Sequence, residues 1–334
     1  MEDGKHTTPQ KRIDYLDSIS GLLICVMVLW HFQFITERTY SIEHFFFFFL
    51  PWFYFKSGML SDIKKPLQKS LSKWFHSLII PFVIFSFWGI LVYNIQRLLV
   101  GDIVLLQSVK TSIHETIILG SCWYNKPVWF LLTLFLCKVI TSYTIQYIKP
   151  IVLLTIAFII AYGHSILFHE YLNYIGNTCL AIICYISGYL LKNIQWNNKL
   201  YYIATAIYIV VFLFLPVNID ARGNFVYYGF YPLGVLVSIL GCISINNAFK
   251  RYEFLNNSVL RWIGRNSLQI LVFHFPILRF FGTALRRVDL VMIYPYVYAI
   301  SWFIIVATLT YLYIIGEKYV KCHKTMDKKM ITKY

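Results

Sequence analysis

Six ionisable side chains stand inside long apolar runs of this chain: His31, Lys56, Lys138, His164, His274 and Arg279. An ionisable group within a bilayer is costly and marks a candidate functional position. His31 suits a general base, because an imidazole with an ordinary pKa of about 6.5 takes a proton from a hydroxyl at neutral pH. The competing reading is a histidine hydrogen-bonded in a helix interface. Lys56, within Phe55-Lys56-Ser57-Gly58, either presents a charge to an anionic ligand or snorkels to the headgroups. His274 fits helix packing as well as chemistry, Arg279 stands near enough to a helix end to snorkel, and Lys138 has no evident partner in the sequence. Asp14 and Asp17 lie at the start of the first apolar run, and no carboxylate reaches mid-span. Proton-coupled carriers commonly use such carboxylates, so that class is disfavoured. There is no Cys-x-x-Cys pair, no metal-ligand cluster and no Gly-rich phosphate loop, so no metal site is expected.

Spacing within the first run adds a second constraint. Asp17, Ser20, Gly21, Ile24, Val28 and His31 fall close to one stripe of a helix, since eleven residues make almost three turns. Ser20 and His31 therefore share a face but lie roughly 16 Å apart along the axis.

The elements that must hold these groups are set by composition. The chain has 334 residues, 58% hydrophobic and 13% charged, against about 25% charged in soluble domains. Thirty Lys and Arg against fifteen Asp and Glu give a net charge of +15. In a soluble protein that excess would suggest nucleic acid. Here the charge lies mostly between apolar segments, which points to a lipid bilayer and away from nucleic acid. The seven cysteines fall mainly inside apolar stretches, where they act as small hydrophobes. Segments 13–35, 43–60, 75–99, 128–147, 150–168, 174–191, 199–217, 225–245, 267–285 and 292–316 approximate the roughly 20 apolar residues of a span. The first run is too long for a signal-peptide core and lacks a small-x-small cleavage site, so it reads as an uncleaved helix. The expected fold is an all-α integral membrane bundle of about ten helices. With the N-terminus inside, inner segments carry 20 of the 30 basic residues and outer ones about eight, which places both termini in the cytoplasm. Residues 1–12 then form a cytoplasmic tail, 13–316 the membrane domain and 317–334 a basic cytoplasmic tail. The one long outer connection, 101–127, carries apolar residues near helical spacing and suggests an amphipathic surface helix. Trp52, Trp123, Tyr124, Trp129 and Tyr294 stand near expected interfaces, where amphipathic rings favour the headgroup layer.

Several short patterns together resemble the membrane acyltransferase 3 family. Leu16-Asp17-Ser18-Ile19-Ser20-Gly21 with His31 ten residues on is similar to its first-helix signature. Phe45 to Phe49 and Tyr54-Phe55-Lys56-Ser57-Gly58 resemble its second helix, and Val128-Trp129-Phe130-Leu131 its Trp-Phe-Leu element. Ile263-Gly264-Arg265-Asn266-Ser267 with Leu271, His274 and Pro276 resembles its segment near the C-terminus. These stand in family order over nearly the whole chain. The resemblance implies a multi-pass enzyme of the cytoplasmic (inner) membrane. It would move an acyl group, usually acetyl, from cytoplasmic acyl-CoA to a hydroxyl of an extracytoplasmic polysaccharide or glycolipid of the cell envelope. Acetyl-CoA is then a co-substrate and no cofactor is bound. On the same basis His31 and Asp17 are the expected catalytic residues. Ser20, Lys56, Ser57, Trp129, Ser267 and His274 are the expected substrate-binding residues. One position departs: the family usually has Arg or Lys eleven residues before that histidine, where this chain has Ser20. Lys56, on the antiparallel second helix at a depth within roughly 3 Å of Ser20, is the expected replacement cation, with Lys73 and His76 in reserve. The alternative reading is a non-catalytic transporter or binding protein for a glycan or lipid-linked precursor, which Ser20 would favour.

The orientation has a direct test. An impermeant thiol reagent on intact cells should label Cys122 in preference to Cys322, and labelling of Cys322 alone would reverse the assignment of sides.

Overall fold

A computed structural model of the chain describes residues 13–31, 45–62, 66–99, 105–119, 124–168, 171–194, 198–214, 231–285 and 304–319. The expected tail 1–12, most of the basic tail, and Cys122, Trp123, Tyr294 and Cys322 lie outside them. The described residues are overwhelmingly helical, with no strand among them. In order they form α1 (Asp14–His31), α2 (Phe49–Met59), α3 (Leu67–Trp74), α4 (Ile80–Leu98), α5 (Leu105–His114), α6 (Trp129–Thr144) and α7 (Pro150–Leu167). There follow α8 (Asn173–Leu191), α9 (Asn198–Phe214), α10 (Tyr231–Arg251), α11 (Ser258–Arg265), α12 (Ser267–Leu285) and α13, residues 304–319.

Local chemistry explains several boundaries. Lys149 is extended, as the residue before a proline prefers, and Pro150 opens α7, where its missing N–H costs nothing. Asn257 caps α11 by accepting the Leu260 N–H at 2.8 Å. Pro81 stands in the first turn of α4, and the turn just before it, Phe75–Ile79, widens to a π-turn joining α3 to α4. The missing donor of Pro81 accounts for a break in the regular ladder there.

Among the described residues, six helical stretches are long and apolar enough to cross a membrane: Asp14–His31, Leu67–Leu98, Lys126–Thr144, Pro150–Leu167, Asn173–Leu191 and Tyr231–Arg251. Asn198–Phe214 and Ser267–Phe280 are shorter apolar helices. The structure shifts several expected boundaries. The third expected segment, 75–99, forms the greater part of a 32-residue helix that begins earlier, at Leu67. The second, 43–60, is described as an α2 of only 11 residues, well short of the about 20 that span a bilayer. The eighth, 225–245, runs on to Arg251, and its first residues, 225–230, lie outside the described residues. In the connection 101–127, α5 runs on through a turn at Glu115–Leu119. Helix α11 was not expected at all. Trp52, Tyr124 and Trp129 are buried between helices, so packing and not an interfacial belt explains them.

The core lies among α1, α2, α8 and α10, whereas α4, α7 and α9 turn bare Ile, Val, Leu and Phe outward. Apolar exposure on that scale fits lipid contact. Two crossings bring helix backbones together through glycine. A Cβ on Gly58 would overlap the Tyr185 carbonyl, and one on Gly188 would overlap that of Phe55, so α2 and α8 touch main chain to main chain. Likewise a Cβ on Gly21 would overlap the Leu260 carbonyl and one on Gly264 that of Asp17, fixing α11 against the first half of α1. Small residues at such crossings permit close approach in membranes, where helix association rests on packing. Gly163, by contrast, meets nothing within 4 Å among the described residues. Gly264→Val or Gly58→Val should therefore lower thermal stability in detergent by about 1–3 kcal/mol, as over-packing does. Gly163→Ala should leave it unchanged or raised. Equal effects at the three sites would contradict the close crossings.

Candidate active site

At one end of α1 the carboxylates and cations converge. Arg265 on α11 donates through Nε to Asp17 Oδ2 and through Nη2 to Asp14 Oδ1, each at 3.1 Å. Arg261 reaches Asp14 Oδ2 at 3.5 Å. Close packing at Gly264 is what brings Arg265 to these acids. From α2, Lys56 leans across α1. Its Nζ donates to Ser20 Oγ at 2.6 Å and approaches the Leu16 carbonyl at 3.4 Å. Asp17 Oδ1 is 3.8 Å away, and the Trp52 ring centre 5.5 Å. The Ser20 hydroxyl gives its proton to the Leu16 carbonyl at 2.7 Å, which leaves oxygen lone pairs for Lys56. Lys56 is thus held over α1 at the Ser20 level and does not simply extend to the headgroups. Trp52 in turn donates to Asn246 Oδ1 at 2.8 Å, which ties α2 to α10. Among the described residues, three cations (Lys56, Arg261, Arg265) stand against two carboxylates (Asp14, Asp17) in the contacts of this cluster.

The second group of side chains gathers at the other end of α1. His31 closes that helix, and its ring centre lies 5.4 Å from that of His274 on α12. Phe275 presents an edge to His31 at 5.2 Å. The His274 side chain is fully buried, and its Nδ1 lies 2.6 Å from the Ile270 carbonyl. A carbonyl only accepts, so Nδ1 carries the proton and Nε2 keeps a bare lone pair. That Nε2 has no hydrogen-bond partner among the described residues. Lys126, just before α6, lies within electrostatic range of His31. Its neighbour Asn125 donates to the carbonyls of Phe85 at 3.0 Å and Val272 at 2.9 Å. These bonds fix the approach to α6 against α4 and α12.

The structure therefore brings Ser20 to Lys56 and His31 to His274, and it separates the two pairs. Asp17 is not brought to His31: they stand 14 residues apart on α1, roughly 21 Å, and Asp17 is engaged by Arg265 and Lys56. Ser57 follows Lys56 on α2, Trp129 heads α6 and is buried, and Ser267 opens α12 seven residues before His274. The other buried candidates are accounted for locally. His164 Nε2 faces the Tyr171 carbonyl at 2.9 Å, Lys138 lies over Trp74, and Arg279 lies against the paired rings of Tyr93 and Tyr124. Among the described residues no three His, Cys, Asp or Glu side chains converge as metal ligands would. Arg265 stands in the segment that resembles the family's C-terminal motif, but its partners are not evident in the sequence; Phe275 and Lys126 are not singled out there.

No curated protein and no solved structure matches this chain. A family model described as an acyltransferase domain does match, over residues 13–315. That covers both groups of side chains and every described span. The chain belongs to the acyltransferase 3 family.

Proposed function

We propose that the protein transfers an acyl group, acetyl foremost, from cytoplasmic acyl-CoA to a hydroxyl of an extracytoplasmic polysaccharide or glycolipid. It does so as a multi-pass protein of the inner membrane with both termini in the cytoplasm. The observation that carries this reading is the pairing on one helix of a held cation, Lys56 at Ser20, with an imidazole, His31, about 16 Å further along. His31 takes the proton of the acceptor hydroxyl as its oxygen attacks the thioester carbonyl. The carbon–sulfur bond then breaks, and the coenzyme leaves as a thiol after receiving that proton from His31. Overall an alcohol and a thioester become an ester and a thiol. Lys56 supplies positive charge to the coenzyme phosphates where relatives carry a basic residue on the first helix, and Arg261 and Arg265 add to the same field. The two ends of α1 then serve donor and acceptor from opposite sides, a division that a long flexible thioester arm can bridge.

Purified protein given labelled acetyl-CoA and an envelope glycan should release free CoA and label the glycan, whereas a transporter would release none. His31→Ala should lower transfer by about 10²–10⁴-fold, the usual contribution of a general base, with detergent stability near wild type. Near-normal turnover would return His31 to a packing role. Lys56→Met keeps the apolar stem and removes the charge. It should raise the KM for acyl-CoA by about 10- to 100-fold, the worth of a charge-assisted hydrogen bond, and leave the acceptor KM little changed. Adding Ser20→Arg to Lys56→Met should restore donor affinity. An unchanged donor KM in Lys56→Met would assign the phosphate-binding charge elsewhere.

A further inference from the structure

We propose that His274 is a positioning residue for His31: with the acceptor bound, the His31 ring turns an N–H onto the bare Nε2 of His274 and so directs its other nitrogen to the acceptor hydroxyl. This rests on the reading of His31 as the base and adds to it. A base of this kind needs a fixed tautomer, and a group that accepts from its second nitrogen supplies one. Carboxylates commonly fill that role, but Asp14 and Asp17 stand at the far end of α1, held by Arg261 and Arg265. His274 is differently placed. Its Nδ1–H is committed to the Ile270 carbonyl, so the tautomer of this ring is set by its own helix. The lone pair at Nε2 is at the far tip of the ring, buried and without a partner among the described residues. Buried polar atoms are rarely left so. The neighbouring ring is His31, with centres 5.4 Å apart and planes tilted by 39°. The rings are not stacked face on, and Phe275 restricts His31 from another side. When His31 takes the proton of the hydroxyl, the bond it makes to Nε2 is charge-assisted. The interaction is then stronger in the transition state than in the ground state, which is the condition for raising kcat.

Two substitutions separate this role from helix packing. His274→Asn keeps a donor for the Ile270 carbonyl, as Asn94 does for Ile90 and Asn266 for Trp262 at the same spacing, but it has no acceptor at the depth of Nε2. His274→Gln places an acceptor oxygen at that depth. Steady-state kinetics on the full-length protein in detergent should show kcat about 10²-fold lower for His274→Asn, within the range of proton-transfer catalysis, with both KM values within about threefold. His274→Gln should stay within about tenfold of wild type. His31→Ala combined with His274→Asn should be no slower than His31→Ala alone, because residues acting as a unit do not add. A His274→Asn enzyme as fast as His274→Gln, or a double variant slower by the product of the single losses, overturns the positioning role and leaves His31 as the base. An active His31→Ala enzyme overturns both readings.

Discussion

The close crossing of α1 and α11 is the contact on which the arrangement depends. Gly21 and Gly264 remove the two side chains that would hold the helices apart, and each backbone lies against the other. Helix α11 is short and amphipathic and has no long apolar length to anchor it. Packing at the glycines and the Arg265 bonds to Asp14 and Asp17 hold it. In return α11 neutralises two acids at the end of a largely buried helix. With Asp17 thus engaged, Lys56 can lie across α1 at the level of Ser20. The rest of α1 is then positioned by its own rise, and His31 arrives beside His274 three turns away.

The bilayer explains why so few charged groups suffice. An isolated cation inside a helical bundle is costly, and Lys56 is accommodated by a hydroxyl, a carbonyl, a carboxylate and an indole face together. Such a cation is pre-positioned, so an anionic donor would meet a charge already paid for by the fold. At the other end of α1 the surroundings are histidine and phenylalanine.

Much of this was legible in the sequence because it depends on periodicity and on rare residues. The apolar runs predicted helices now seen at Pro150–Leu167 and Asn173–Leu191 within a residue or so. His31 and Lys56 stood out as ionisable groups where few are tolerated, and helical rise alone placed Lys56 near the depth of Ser20. What was not legible depends on contacts distant in the chain. Arg265 and Asp17 are 248 residues apart, and only the crossing at Gly264 makes them partners. The half-apolar pattern of Ser258–Arg265 is too short to announce a helix against its polar surroundings. Trp52 read as an interfacial ring because its partner, Asn246, is 194 residues away. The tautomer of His274 is set by a carbonyl one turn back, but its significance appears only once the His31 ring is beside it.

The central claim is that one helix serves a donor on one side of the membrane and an acceptor on the other. It is tested most directly with purified protein in oriented proteoliposomes, labelled acetyl-CoA on the cytoplasmic-facing side and the glycan acceptor on the opposite side. The account predicts label on the glycan and free CoA in equal amount on the donor side. Glycan labelling only when both substrates share one side, or passage of glycan without release of CoA, would contradict it.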